Sequence, residues 1–486
     1  MNDPSASQKR FGRDVLIAAA ANLVRSMRNL ILVPIITGHL SLAHYGEWEL
    51  LAAAIALLVP WITFSLNSAL IRFLPGLDGE TVRGGLYAIF LFVFASSGVA
   101  ALAMWLAADF LSRFAELAPL KRNASAIALL LVSTSLLGVA LAYFRAFRQM
   151  LSHSLLGLAQ HFGEVLLIAY LLQRSCPLHE ALWALGGIRV MLTAISLGRI
   201  FSNHGFGRPH FAALPGYLSY SIPLIPNSLF YRLYDQADRL IIYAFLGPAA
   251  VGGYAAAYTA ASLFTTLASP IHTVLLPAIS AQWNQGRHDK ISLYMAQTIR
   301  FSAIIVFPAL ACTALVAEPL FSLLLHQSPG PLYWHYLLLS LGFAVFGFGI
   351  PCGDLMATTG QAQQLFRLNG TLAATNLILN LVLVPVIGVI GAVIATLGCQ
   401  FAYVLGASAN ARRAVPYAIP WGALARTAIA ATGMALCLAW LFGTQPHTLI
   451  PPILTGIAVY TVLLLACGAL TRRDLDFFAS ALGLGR

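Results

Sequence analysis

The chain has 486 residues, of which 59% are hydrophobic and only 9% carry a formal charge, and its mean hydropathy is +0.80. Soluble domains carry about 25% charged residues, so this composition excludes an ordinary soluble protein and indicates a multi-pass membrane protein. The net charge of +11 includes no basic run long enough for a nucleic-acid patch, so no nucleic-acid partner is expected.

Apolar stretches long enough to cross about 30 Å of hydrocarbon recur along the whole chain. They predict an all-α polytopic membrane protein with about fourteen transmembrane helices. The predicted spans are 12–37, 46–71, 85–108, 124–146, 151–172, 181–200, 216–245, 251–279, 291–316, 333–358, 366–386, 389–409, 421–442 and 449–470. The longest connections, around 109–123 and 317–332, hold some fifteen residues, so no separate soluble domain is expected.

The distribution of basic residues predicts that both termini face the cytoplasm. With a cytoplasmic N-terminus, the opposite side of the membrane holds only Arg113, Lys121, Arg122 and Arg174, which fits the positive-inside rule. The first apolar run is too long for the apolar region of a signal peptide, so it is predicted to be an uncleaved span. Six cysteines are scattered without a CxxC pair, which favours packing over a metal site or disulfides.

The first span, DVLIAAAANLVRSMRNLILVPII, places Arg25 and Arg28 at membrane depth. A charged side chain there is costly, so it usually faces a bundle interior or a wet cavity. Asn22, Arg25 and Asn29 follow an i, i+3, i+7 spacing, and Arg28 lies beside them. We therefore predict one polar stripe on this helix that faces the substrate.

An internal repeat links the first hairpin to one about half the chain later. HLSLAHYGEWELLAAA aligns with FLGPAAVGGYAAAYTA, and the matched pairs are Leu40 and Leu246, Ala43 and Ala249, Gly46 and Gly252, and Trp48 and Tyr254. The repeats begin on the same side of the membrane, which is typical of transporters with a site between two parallel halves. The predicted division is an N-lobe over 1–210, a C-lobe over 211–412, and an extra helix pair with a cytoplasmic tail over 413–486.

The seventh span, YSIPLIPNSLFYRLYDQADRLIIYAFLG, carries the second charged cluster. Arg232, Asp235 and Arg239 stand at i, i+3, i+7, with Asp238 adjacent. Two interpretations stay open: these charges pair with one another as a structural ladder, or some of them face the same cavity as the arginines of span 1.

Two further pairs in the spans are candidates for conformational change and energy coupling. Pro223 and Pro226 each remove a backbone donor, which predicts a kink and a hinge in span 7. His161 and Glu164 lie one turn apart on span 5. They are either a hydrogen-bonded structural pair or the groups that couple transport to a proton gradient, and a sodium gradient also stays open.

Arginines outnumber carboxylates at membrane depth. The arginines are Arg25, Arg28, Arg189, Arg232, Arg239 and Arg300, and the carboxylates counted with them are Glu164, Asp235 and Asp238. Arg300 has the alternative of reaching the cytoplasmic interface with its long side chain. A guanidinium binds phosphate in a bidentate manner, so the excess predicts a phosphate or pyrophosphate ligand.

Three segments carry a resemblance to a known family. They are FGRDVLIAAAANLVRSMRNLILVPIITGHLSLAHYGEWELLAA, YSIPLIPNSLFYRLYDQADRLIIYAFLGPAAVGGYAAAY and ATTGQAQQLFRLNGTLAATNLILNLVLVPVIGVIGAVIAT. In this order they resemble the polysaccharide-transporter branch of the multidrug/oligosaccharidyl-lipid/polysaccharide exporter superfamily, the Wzx-type flippases. One departure is the turn 39–44, where members often have Leu-Gly-Pro; that tripeptide is present at 246–248.

The resemblance implies two lobes around a central cationic cavity, alternating access, and an undecaprenyl-pyrophosphate-linked oligosaccharide as substrate. It also implies a place in the bacterial inner membrane, in O-antigen, lipopolysaccharide or exopolysaccharide assembly, beside polymerase and export machinery. The related MurJ lipid II flippases similarly use arginines of span 1. The residues assigned to the pyrophosphate cavity are Asn22, Arg25, Arg28, Asn29, Arg189, Arg232, Asp235 and Arg239.

Other functions stay open from the sequence. A MATE-like small-molecule or cation antiporter has the same architecture but needs an acidic lobe, which the arginine excess disfavours. A membrane glycan polymerase or ligase needs a sizeable extracytoplasmic loop, and the connections are short. A non-transporting scaffold would leave the buried arginines unexplained. We therefore expect a transporter, without catalytic residues, metal or cofactor.

Overall fold

The structure, a computed structural model, describes residue 24 and residues 27–111, 121–443 and 448–469. Ten of the described helices are long and apolar enough to cross a membrane, and two further apolar helices are shorter. Within a bilayer a helix satisfies its own backbone hydrogen bonds, which explains why these apolar segments are helical. The predicted fold class, an all-α polytopic membrane protein, is confirmed.

The helices are numbered here in chain order. The first seven are α1 (27–39), α2 (Leu42–Ile62), α3 (Leu66–Phe73), α4 (Gly79–Leu111), α5 (Ala124–Ala146), α6 (Met150–Gln173) and α7 (Leu178–His204). The others are α8 (Leu214–Ser221), α9 (Ile225–Leu246), α10 (Pro248–Trp283), α11 (His288–Ala311), α12 (Thr313–Leu325), α13 (Leu332–Thr358), α14 (Ala362–Ile387), α15 (Val389–Ala414), α16 (Trp421–Phe442) and α17 (Ile450–Ala466).

The chain forms two compact units. The first comprises Met1–Ala256 and Asn369–Ala392, and the second comprises Ala257–Leu368 and Val393–Arg486. These bounds differ from the predicted lobes, whose division at 210 and 412 stays a prediction.

The second predicted span is broken into α2 and α3 rather than continuous. Pro60 lies in the last turn of α2, and the backbone of Phe64 and Ser65 is left-handed, with φ angles of 48° and 52°. The Ile62 carbonyl, freed by the break, accepts a hydrogen bond of 2.7 Å from the Ser96 hydroxyl. This side-chain donor satisfies a backbone group that could not stay unpaired in a bilayer.

The seventh predicted span is interrupted where the sequence has its two prolines. A 3-10 turn at Ile222–Leu224 separates α8 from α9 and contains Pro223, and Pro226 is the second residue of α9. Proline is compatible with a helix start because the amide hydrogen at that position has no partner within the helix. The hinge role of this pair stays a prediction.

The connection predicted around 317–332 is largely helical. Helix α12 occupies Thr313–Leu325 and contains Pro319 near its middle. The prediction ended the preceding span at 316 and treated 317–332 as a connection, whereas the helix runs on from Thr313 to Leu325. A short helix adjoining α11 accounts for the same segment.

The aligned glycines of the two hairpins pack against each other within the first unit. A Cβ atom on Gly46 would lie 1.7 Å from the carbonyl oxygen of Pro248, and a Cβ atom on Gly252 would lie 2.3 Å from that of Leu42. The alignment that pairs Gly46 with Gly252 also pairs Leu42 with Pro248, so the contact is reciprocal. Reciprocal contact between equivalent residues is the property of a two-fold interface, which supports the predicted repeat.

Arg300 has a structural role in the second unit. Its Nη2 atom donates to the carbonyl oxygen of Ala469 at 2.7 Å, and Arg426 donates to the neighbouring carbonyl of Gly468 at 3.4 Å. Both carbonyls follow the end of α17, where cations are favoured by unpaired carbonyl groups. Arg300 is thus explained by helix capping.

Candidate functional site: a cavity lined by arginines

A cavity of about 690 Å³ lies within the first unit. Helices α1, α2, α3, α5, α7 and α9 contribute to its wall, with Asn369 from α14. Its charged lining residues in the described part of the chain are Arg28, Glu49, Arg189, Arg232 and Arg239. Arginines that are distant in the sequence are therefore brought to one cavity.

Glu164 holds two of these arginines from behind the cavity wall. Its side chain is fully buried, and its carboxylate accepts from Arg28 Nη2 at 2.9 Å and from Arg189 Nε at 2.7 Å. Arg189 Nη1 also donates to the hydroxyl of Thr134 at 2.6 Å, and the amide of Gln160 donates to Glu164 at 3.3 Å. One carboxylate thus connects α6 to α1 and α7 and fixes both guanidinium groups.

Arg239 is fixed by a different set of groups. Its Nε donates to Glu49 at 3.1 Å, the Asp238 carboxylate lies 3.4 Å from its Nη1, and Nη1 also donates to the backbone oxygen of Asp235 at 2.7 Å. Asp238 accepts from the hydroxyl of Tyr254. With only 5% of its side chain exposed, Arg239 is part of a buried network that joins α2, α9 and α10.

Arg232 differs from the other three arginines. It lines the cavity and is exposed, and it has no ion-pair partner within 4 Å among the described residues. The charge ladder that the sequence left open therefore does not include Arg232. Arg239 has Glu49 and Asp238 as carboxylate partners and contacts Asp235 through its backbone oxygen. Helix α9 therefore carries Arg239, which is held by ion pairs, and Arg232, whose guanidinium can contact a ligand in the cavity.

The remaining predicted residues have four different placements. Asn29 lines the cavity and accepts from Arg28 Nη1 at 3.4 Å, whereas Asp235 contributes its backbone oxygen to Arg239. Asn22 and Arg25 lie outside the described residues. His161 lies one turn from Glu164 on α6, half-buried.

Sequence reasoning missed Glu49 and the polar break between α2 and α3. Glu49 was read as part of an apolar span, although it follows the aligned Trp48 and Tyr254 positions at which the repeats were matched. Thr63, Ser65, Asn67 and Ser68 also line the cavity, and the signal for them was the polar run TFSLNS after Pro60. Counting Glu49 and removing Arg300 makes the excess of positive charge smaller than the sequence count suggested.

The sequence matches the family model described as "Polysaccharide biosynthesis protein" over residues 35–328, which is more than half of the chain. The chain belongs to this family. The matched range contains Glu49, Glu164, Arg189, Arg232 and Arg239. The resemblance to the polysaccharide-transporter branch, inferred from three sequence segments, is confirmed.

A curated relative agrees with this membership. The probable flippase AglR of Haloferax volcanii is 27% identical over 243 residues, which are 48% of this chain and 50% of that protein. The match therefore spans about half the length of the relative.

The fold is similar to two transporter folds. A structure of the lipid II flippase MurJ in an inward closed conformation has a TM-score of 0.73 at 13% identity, covering 93% of this chain and 97% of that one. An inward-facing multidrug resistance MATE family transporter of the MOP superfamily has a TM-score of 0.63 at 15% identity, covering 82% and 98%. At these identities the comparison concerns the fold alone.

Proposed function

We propose that this chain is a flippase that moves an undecaprenyl-pyrophosphate-linked oligosaccharide across the bacterial inner membrane by alternating access, for assembly of a cell-surface polysaccharide. Family membership and the similarity to the probable flippase AglR support the transporter class. The cavity arginines are the observation that supports an anionic headgroup: three are held by carboxylates, whereas Arg232, among the described residues, is not.

Arg28 and Arg189 are suited to hold a pyrophosphate because their positions are fixed before the ligand arrives. A guanidinium has five N–H donors, and the contacts to Glu164, Asn29 and Thr134 leave some of them unused. In the described residues Arg28 Nε is buried without a hydrogen-bond partner. An oxyanion with several acceptor atoms would satisfy such donors, and little reorganisation would be needed.

Arg232 completes the proposed site, because no carboxylate of the described residues lies within ion-pair distance of its guanidinium. Its guanidinium can approach a phosphate from α9 without first breaking an ion pair. Arg239, in contrast, would have to leave Glu49 and Asp238, so its proposed role is to fix α9 against α2. Glu164 and His161 remain the candidates for coupling transport to protons; a pH-gradient effect unchanged in Glu164→Gln would refute that role.

Native mass spectrometry of the purified protein tests the substrate directly. We expect a co-purified polyprenyl pyrophosphate carrying sugars, and we expect its occupancy to fall in Arg232→Gln. Arg199→Gln is the matched control, because Arg199 lies on the surface of α7 and is absent from the cavity lining. Wild-type protein that retains only ordinary phospholipids, or equal occupancy in both variants, would contradict the proposal.

The MATE-like fold keeps a small-molecule or cation antiporter as the second candidate. An antiporter for cations would require the four cavity arginines to tolerate a like charge, which is electrostatically unfavourable. Proton-driven uptake of a cationic dye into proteoliposomes, together with no lipid-linked sugar on the purified protein, would favour this candidate over the flippase.

A further inference from the structure

A second cavity, of about 610 Å³, lies in the first unit where several helices begin or end. It is bounded by the end of α1, the starts of α2, α5 and α7, and the end of α6. The lining residues relevant here are His39, His44, Arg122, Gln173, Cys176 and His179. In the described residues no carboxylate lines this cavity.

The side chains of this cavity present hydrogen-bond donors. Among the described residues Arg122 pairs with Glu47 through Nη2, and 60% of its side chain is exposed. The Nδ1 atom of His39 lies 2.9 Å from the Ile35 carbonyl oxygen, which only accepts, so this nitrogen donates. His44 Nδ1 lies 2.8 Å from the hydroxyl of Ser41. The Ser41 hydroxyl accepts from the backbone amide of His44 and donates to this Nδ1, so Nε2 of His44 carries a hydrogen, and it has no hydrogen bond in the described part of the chain.

The backbone adds to this donor-rich character. Helix α5 begins at Ala124 and α7 begins at Leu178, and neither the Asn123 nor the Pro177 side chain caps the first turn. The first amide groups of a helix lack intrahelical acceptors and favour anions. His179 lies in the first turn of α7, is exposed, and forms no hydrogen bond in the described part.

The second cavity is close to the arginine cavity along two helices. On α2, His44 lines the second cavity and Trp48 lines the first; on α7, Leu178 lines the second and Leu182 lines the first. Four residues of helix correspond to about 6 Å. The predicted topology places this end of the unit on the extracytoplasmic side.

We propose that this second cavity is a phosphate-binding site, which receives the headgroup phosphate after it leaves the arginine cavity. The order of the two sites rests on the proposed flippase function; the phosphate chemistry of the site does not. Arg122, His44 and His179 supply the donors. The phosphate could come from the lipid-linked sugar or from an ordinary phospholipid of the outer leaflet.

Cys176 provides a local readout of occupancy. It lines the second cavity, whereas Cys312, Cys352, Cys399, Cys437 and Cys467 belong to the second unit. Desolvation and the nearby Glu180 carboxylate raise the pKa of the Cys176 thiol, against the smaller opposing effect of Arg174. Because the thiolate is the reactive form, labelling of a variant retaining only Cys176 should be carried out at a pH of about 9.

Inorganic pyrophosphate is the probe, applied to this single-cysteine protein in nanodiscs of zwitterionic lipid. We expect it to slow the labelling of Cys176 by a thiol reagent. Arg122→Gln and His179→Gln should each raise the half-protecting concentration about tenfold, equivalent to about 1.4 kcal/mol. His179→Gln removes an exposed side chain without a hydrogen bond, so it separates ligand loss from misfolding.

Two results would overturn the proposal: no protection of Cys176 by pyrophosphate, or protection that Arg232→Gln abolishes and His179→Gln leaves unchanged. Protection in nanodiscs of phosphatidylglycerol without added pyrophosphate would assign the site to a bilayer phospholipid. The outcome is independent of the transport proposal, since loss of flipping in Arg232→Gln with no Cys176 protection would leave the flippase standing and remove only this site.

Discussion

The arrangement of the cavity arginines depends on one residue, Glu164. Its fully buried carboxylate lies between Arg28 and Arg189, whose side chains are 20% and 14% exposed. Like charges this close would repel one another without a shared counter-ion. Glu164 therefore allows two arginines to face one cavity, and an incoming phosphate would find them already positioned.

Replacing Glu164 by Gln should destabilise the protein and make it more responsive to anions. Loss of the buried carboxylate leaves two arginines without their ion pair, and removing one partner of such a pair costs about 3–5 kcal/mol. Pyrophosphate should raise the melting temperature of Glu164→Gln more than that of wild type, because the anion replaces the missing charge. Thermal unfolding in detergent measures both effects, and equal shifts in the two proteins would contradict this role.

The two arginines of α9 should respond differently to the same substitution. Arg232→Gln should change stability by no more than about 0.5 kcal/mol, as for an exposed side chain without an ion pair, but should weaken substrate binding. Arg239→Gln should lower stability by about 3 kcal/mol, because it leaves the carboxylates of Glu49 and Asp238 unpaired. Unfolding curves combined with native mass spectrometry make the comparison, and similar losses of stability in both variants would refute the distinction.

At the scale of helices, the break between α2 and α3 provides the polar part of the cavity wall. Ser65 has a left-handed φ of 52° and its side chain does not cap α3. Such a conformation costs a non-glycine residue about 1–2 kcal/mol, and backbone strain of this kind is concentrated at functional sites. The break that places polar residues on the cavity wall therefore destabilises the fold locally.

Ser65→Gly should stabilise the protein by about 1 kcal/mol, because glycine adopts this φ without steric cost. Ser65→Val should destabilise it, since a branched side chain fits this conformation poorly. The melting temperatures of the two variants give the result. A lower melting temperature for Ser65→Gly than for wild type would show that the hydroxyl matters more than the backbone angle.

A second prediction at the scale of helices concerns the close contact between the hairpins that contain Gly46 and Gly252. Gly46→Ala places a methyl group 1.7 Å from the Pro248 carbonyl oxygen, so the two hairpins must separate, with a cost of about 1–3 kcal/mol or more. Gly98→Ala is the matched control, because a Cβ atom at Gly98 meets nothing within 4 Å. Comparable melting temperatures for the two variants would mean that the hairpins are not closely packed in the membrane.

At the scale of the whole molecule, hydropathy was sufficient for the fold class because a span of apolar residues has few alternatives to a helix in lipid. Hydropathy was not sufficient to predict where a helix is interrupted within a span. The helix interruption at Phe64 and Ser65 depends on local backbone angles and on Ser96 reaching the Ile62 carbonyl, and neither is visible in a hydropathy pattern.

The residues of the arginine cavity were predicted only in part. Arg28, Arg189 and Arg232 stand out because charge at membrane depth is rare. Their individual roles could not be assigned, since these depend on which carboxylate each arginine meets in three dimensions. Glu164 and Glu49 make those contacts across 136 and 190 positions of sequence, beyond the reach of helical spacing.

The most direct test of the central claim is translocation of a polyprenyl-pyrophosphate oligosaccharide in proteoliposomes containing the purified protein. The wild type and Arg199→Gln are expected to move the lipid-linked sugar between leaflets, whereas Arg232→Gln and the double variant Arg28→Gln/Arg189→Gln are expected to lose this movement while remaining inserted in the bilayer. Undiminished translocation in both cavity variants, or none in the wild type, would contradict the account.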